Sequence, residues 1–213
     1  MASESTIRRG LAAAGLAAAL VVAPCGWAQM QMPHPVKDYK AAPAGTYTID
    51  QSHAAVMISV PHIGFSYSVF RFTGVQGTLK WDPANPGADA LNVTVDPKSI
   101  ATANTGGDFS GELSGEKFLN AAKFPAITFV SRAFHPIDAS HGRVEGDLTL
   151  MGVTKPVVFD VQLVGAGKGF HGPDIGVHAE TDLHPADFGL QPGMLFNAPT
   201  HLTIDTEFDG QPG

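Results

Sequence analysis

Nine histidines in a chain of 213 residues invite a search for metal or acid–base chemistry. The densest group is His178, Glu180, Asp182 and His184, in which every second residue can ligate. Imidazole with carboxylate suits zinc or a similar divalent ion. On a strand, however, alternate residues share one face and stand about 7 Å apart, so four in a line cannot converge on one ion. The other parity carries Val177, Ala179 and Leu183, which leaves the polar set on the wet face. No metal is expected there.

Nucleophilic chemistry finds as little support. The one cysteine is Cys25, in a segment that is expected to be removed. Gly64-Phe65-Ser66-Tyr67-Ser68 lacks the closing glycine of a nucleophile elbow. Gly106-Gly107 has no following Gly-Lys-Ser/Thr, so no phosphate loop is present. Asp108 and Glu112 read as a surface pair on a helix face. The expectation is a binding protein without catalytic residues, metal or other cofactor.

The elements that would position a binding site are strands. Val144, Gly146, Leu148 and Leu150 alternate with Glu145, Asp147 and Thr149. After a turn at Gly152–Pro156, Val157, Phe159, Val161 and Leu163 alternate with Asp160 and Gln162. Successive strand side chains point to opposite faces, so this is a hairpin with one oily and one wet side. The same period recurs at Tyr47 and Ile49, at Val56–Val60, at Phe72–Trp81, at Leu91–Val95, at Ile127–Phe129, at Ile175–Leu183 and at Leu202–Phe208. Turns rich in Gly, Pro, Asn and Asp separate them. One helical interruption spans Ser110 to Ala122, with Ser110 as cap and Glu112 in the first turn. Half-polar strands imply an antiparallel sheet, and closure best removes its edges. The fold class is therefore all-β, an antiparallel β-barrel of about eight strands with one or two short helices.

Arg8 and Arg9 precede the apolar run Gly10–Ala23, then Pro24 and the small-x-small sequence Gly26-Trp27-Ala28. This predicts a cleavable export signal over 1–28, whose apolar run of about 14 residues is short for a membrane span of about 20. The arginine pair leaves twin-arginine and general secretion both open, and Cys25 after Pro24 fits a lipid-attachment box poorly. The expected location is periplasmic. Residues 29–44 read as a flexible leader, 45–209 as the domain and 210–213 as a tail. Cleavage removes the cysteine and takes the net charge from −7 to −8. An acidic domain without a basic stripe argues against nucleic acid and anionic membrane surfaces as partners. Nothing marks it as integral to a membrane. Outward apolar residues such as Met57 and Val158 leave a homodimer through a strand edge open.

Several ordered pieces resemble the YceI-like family, exported lipocalin-like barrels described as polyisoprenoid-binding. They are Tyr47–His53, His62-Ile63-Gly64-Phe65-Ser66, Glu116–Leu119 with Lys123–Phe129, and Gly146–Pro156, which is the most specific. Asp187-Phe188-Gly189 resembles a late element of the family. There the resemblance leads one to expect a preceding arginine, where Pro185 and Ala186 stand.

The resemblance implies a cavity for a long-chain amphiphile: a polyprenyl lipid, a prenylquinone or a fatty-acid-like molecule. Ligand-facing residues are then expected at Val56, Ile58, Val60, Phe72 and Leu79. Further along the chain they are Ile127, Phe129, Leu148, Phe159, Val161, Val177 and Ile204, with Phe118 and Phe188 near the barrel ends. His62 and Phe65 join them by their family-like position, and the helix around Phe118 would cap one opening. Each isoprene unit taken out of water contributes about 3–4 kcal/mol before ordering costs. The alternatives are a barrel filled by its own phenylalanines that binds a partner and, last, a metal-dependent enzyme.

Overall fold

The computed structural model describes residues 32–103, 107–190 and 198–211, so the expected export signal lies outside the described residues. Eleven strand segments follow one another: β1 (Gly45–Ile49), β2 (Ala55–His62), β3 (Ser66–Phe72), β4 (Val75–Trp81), β5 (Ala90–Val95) and β6 (Ile100–Thr102). After helix α1 (Phe109–Ser114) come β7 (Ile127–Pro136), β8 (His141–Leu150), β9 (Val153–Lys168), β10 (Pro173–Leu183) and β11 (Thr200–Gly210).

Three consecutive pairs of segments, β1–β2, β3–β4 and β5–β6, are each one long stave bent in the middle. The register shows this, because β2 pairs β3, β1 pairs β4, β4 pairs β5 and β3 pairs β6. The bends fall side by side at Asp50–Ala54, Thr73-Gly74 and Asp96–Ser99. Short acidic side chains make two of them: Asp50 accepts the Ser52 N–H at 2.7 Å and Asp96 the Lys98 N–H at 2.8 Å. Each fixes a one-turn 3-10 helix where a strand would otherwise run on. The eight resulting staves form an antiparallel meander, and β11 closes it by pairing β1 and β2 along one edge. The ring is thereby closed, and among the described residues the short β6 and the start of β9 keep one edge unpaired.

Two tight hairpins carry positive φ angles. Met151 (φ 51°) and Gly152 (φ 78°) join β8 to β9, and Ile63 (φ 54°) and Gly64 (φ 78°) join β2 to β3. Two residues at positive φ match the twist of the flanking strands. The β8–β9 turn is thus shorter than the alternation suggested: Val153–Pro156 already belongs to β9. Pro156 is tolerated because β10 pairs β9 only from Asp160 onward, which leaves the proline's other edge unpaired.

Sequence expectation and structure part at three other places. Helix α1 ends at Ser114, before Gly115, and its cap is Asp108, whose carboxylate accepts the Gly111 N–H at 2.9 Å. Asp108 and Glu112 are therefore a cap and a first-turn acid. The tail begins after Gly210, which still pairs with Tyr47. The leader, from Val36 onward, is docked. Val36 and Ala166 exchange backbone hydrogen bonds of 3.0 and 2.9 Å, Tyr39 N–H donates to Ala139 O at 3.0 Å, and Ala42 is fully buried. β8 stops short of this stretch of β9, so the backbone there is free to accept a passing chain.

Candidate ligand cavity

Inward parity builds the wall. Val56 and Phe72, Leu79, Val95, Phe129, Val144, Leu148, Phe159, Ala179, Leu202 and Phe208 are buried, while Glu145, Asp147, Asp160, Glu180 and Glu207 face outward. This pattern inverts that of a membrane-spanning barrel, which is apolar outside and polar within. Two bulges change the parity partway along. Arg132 is the extra residue in β7, and past it Phe134 turns inward; Val164 is the extra residue in β9, and past it Ala166 is buried. Gly146 is inward and bare for a reason: a Cβ there would strike the Phe129 ring and the Val130 carbonyl. The space lets Phe129 lie edge-on to Phe159, with centroids 5.2 Å apart.

The phenylalanines line the wall without filling the centre. They leave a cavity of about 290 Å³, bordered by Phe70, Phe72, Phe118, Phe129, Phe134, Phe159, Phe188 and Phe208.

The two ends differ. At one end Leu113 and Leu119 meet Pro185, Phe188 and Leu190, all buried and all lining the cavity, and they form an apolar floor. Pro185 and Ala186 stand where the resemblance leads one to expect an arginine, so this end presents an apolar ring in its place. At the other end the wall reaches Tyr39, Trp81, Asp89 and the β7–β8 turn. Among the described residues, every exposed lining residue lies between His135 and Arg143, and there the cavity meets solvent. Around this mouth His135 faces Glu145 at 3.3 Å, His141 faces Asp138 at 3.0 Å, and Arg143 faces Asp160 at 2.8 Å. Burial pushes the Asp89 carboxyl up to about 6, with the neighbouring Asp82 charge acting the same way and Lys80 and the Asp82 N–H opposing it.

The architecture and the sequence agree with one another. The YceI-like domain signature matches residues 47–208. The chain belongs to the YceI-like family. It is 37% identical over 154 residues to protein YceI of Escherichia coli O6:H1, covering 71% of this chain and 79% of that one. It is 33% identical over 175 residues to a UPF0312 protein of Vibrio cholerae, covering 80% and 89%. Among solved structures, Burkholderia cenocepacia BcnA superposes with TM-score 0.65 at 18% identity, covering 75% of this chain and 98% of that one. A polyisoprenoid binding domain from Saccharophagus degradans superposes with TM-score 0.55 at 19% identity, covering 77% and 98%. At those identities the two structures share the fold.

Of the residues expected to face a ligand in this YceI-like chain, all but three border the cavity. Val60 is 1% exposed but packs in the core away from the space. His62 and Phe65 flank the Ile63-Gly64 turn at the exposed tip of the β2–β3 hairpin, with Phe65 90% exposed. The hairpin simply extends past the end of the barrel. Tyr39, Trp81, Asp89 and Phe134 line the cavity without having been anticipated. Trp81 and Asp89 continue the inward parities of Leu79 and Leu91, a signal that was open to reading.

The histidine-rich stretch of β10 is on the outer wall, but its partners come from across the sheet. His178 bonds Asp205 at 2.7 Å and approaches Glu180 at 3.2 Å; His201 bonds Asp182 at 2.8 Å and approaches Glu180 at 3.5 Å. The hydrogen bond to Asp205 holds His178 above the usual imidazole range, and the bond to Asp182 does the same for His201. His184 takes no part in this row. Asp50, His53 and Glu207 form a second outer group in which His53 bonds Asp50 at 2.6 Å, part of the stave bend.

Proposed function

We propose that this protein is an exported carrier that holds a long-chain isoprenoid or similar amphiphile inside the barrel and performs no covalent chemistry. The observation that carries the reading is the cavity itself: an apolar space of about 290 Å³, closed at one end, inside a wall whose outer face is charged. Ligand pockets typically span roughly 300–1,000 Å³ and are mostly apolar with a few placed polar groups, as here. Transfer of several isoprene units from water at about 3–4 kcal/mol each would outweigh the cost of ordering the chain.

The S. degradans neighbour is described as polyisoprenoid binding. That makes a prenyl chain the first ligand to try. No helix among the described residues is long and apolar enough to cross a membrane. The export signal read at 1–28 and the periplasmic location belong to the same proposal. Amino-terminal sequencing of exported protein should begin at Gln29.

The test is extraction. Protein purified from its own host should release a stoichiometric lipid into organic solvent, identified by mass spectrometry. An empty extract, together with failure to take up any prenyl lipid in vitro, would leave a barrel that serves as a partner-binding module.

A further inference from the structure

The mouth carries two polar groups that the wall does not use. β4 and β5 pair Leu79 with Leu91 and Lys80 with Ala90, so the next step sets Trp81 beside Asp89 on the inner face. Both border the cavity. The Asp82 N–H donates to Asp89 Oδ1 at 2.6 Å, which fixes the carboxyl and leaves Oδ2 without a hydrogen-bond partner among the described residues. The Trp81 indole N–H is buried and has no acceptor among them. Its ring is held edge-on against Tyr39, with centroids 6.2 Å apart. A buried donor without an acceptor is costly, and a native fold keeps one where something else satisfies it.

We propose that Trp81 and Asp89 form a head-group site at the cavity mouth for an uncharged oxygen, best matched by the hydroxyl of a long-chain alcohol. This rests on the carrier reading and names its ligand class. A hydroxyl oxygen accepts the indole N–H while its own hydrogen is donated to the Asp89 carboxylate, so one group satisfies both. An anionic head is disfavoured on two counts. Asp89 adds negative charge beside it, and each basic side chain among the described lining residues already faces a carboxylate: His135 with Glu145, His141 with Asp138, Arg143 with Asp160. Lys80 lies next to Trp81 in sequence and therefore points to the opposite face of β4. Among the described residues, the other buried side-chain polar atom without a partner, Thr200 Oγ1, belongs to a residue that borders the cavity near the floor, where no charged residue joins it on the lining.

The experiment offers the full chain an equimolar mixture of geranylgeraniol, geranylgeranyl phosphate and phytane, the saturated hydrocarbon of equal carbon count. Bound lipid is recovered after gel filtration and quantified by mass spectrometry. The alcohol should be retained over each competitor by about tenfold, the worth of one good buried hydrogen bond. Trp81→Phe keeps a ring against Tyr39 and should cut alcohol retention while leaving phytane unchanged. Asp89→Asn should raise retention of the phosphate. Equal retention of alcohol and phytane, a preference for the phosphate, or a Trp81→Phe effect shared by all three lipids would overturn the head-group site while the carrier reading stands. Retention of none of them would overturn both.

Discussion

The two ends of the barrel are made from the same staves, yet only one carries lining residues that reach solvent. At the floor, Leu113 and Leu119 come from α1 and the loop after it, Phe188 and Leu190 from the 3-10 turn Pro185–Phe188 and the residues after it, and all are buried. At the mouth the covering pieces are a docked leader and a turn whose charged residues reach solvent. The difference lies in what crosses the end: packed apolar side chains at the floor, backbone hydrogen bonds and ion pairs at the mouth. Apolar contacts are lost together when a floor is disrupted, whereas a strap held by a few exposed hydrogen bonds can open locally.

The sharpest way to break this comparison is to place a charge at each end. Phe188→Asp should destabilise by about 4 kcal/mol or more, since it buries an unpaired carboxylate, and Ile137→Asp at the 63% exposed turn should cost under about 0.5 kcal/mol. Urea unfolding of both variants decides it; comparable losses would mean the mouth is as tightly packed as the floor. Next in size is Gly146→Ala, midway along the wall. The added methyl meets the Phe129 ring and a carbonyl, so a loss of about 2–3 kcal/mol is expected in the same assay.

Ligand exchange sharpens the contrast further. Tyr39→Ala removes the ring against Trp81 but keeps the leader's backbone bonds, and should speed release of bound prenol by roughly three- to tenfold at a stability cost of about 1 kcal/mol. Stopped-flow displacement reads the rate. Trimming residues 112–120 tests whether the floor also serves as a lid; faster release from that variant alone would put the exit at the floor.

Two further effects are electrostatic, and both weaken the fold as pH rises. The Asp89 pKa lies near 6, above its unfolded value of about 4, so folding is penalised increasingly as pH rises through that window and fully above it. Asp89→Asn should therefore stabilise the protein at pH 8 by no more than about 1–2 kcal/mol after solvent screening, and hardly at all at pH 4. His178 and His201 have raised values, so their contribution is present below about pH 6.5 and fades as pH climbs through the raised range. Each exposed pair should contribute at most about 0.5 kcal/mol, visible as a small downward slope in melting temperature that disappears in His178→Gln/His201→Gln.

Period-two alternation made most of the wall legible in advance. Phe129, Leu148, Phe159, Val161 and Ile204 follow from parity, because the side-chain period of a strand is a local property of the backbone. Parity fails where a bulge resets it, which is why Phe134 escaped notice beyond Arg132. It also says nothing of where a strand stops being barrel, so it could not correct the expectation, drawn from their family-like position, that His62 and Phe65 face a ligand; both sit on an exposed hairpin tip.

What the amino-acid order by itself determined is an antiparallel closed sheet with an oily inside, since alternation, turn chemistry and the need to remove edges are all written in neighbouring residues. Only the tertiary structure decided that the inside remains hollow, that one end is a floor and the other a mouth, and that the leader docks beside the mouth. Those outcomes depend on distances between staves far apart in sequence. Whether ring faces ring across a barrel, or Trp81 comes to lie beside Asp89 with nothing to bond, is set by closure and register, which no local pattern encodes.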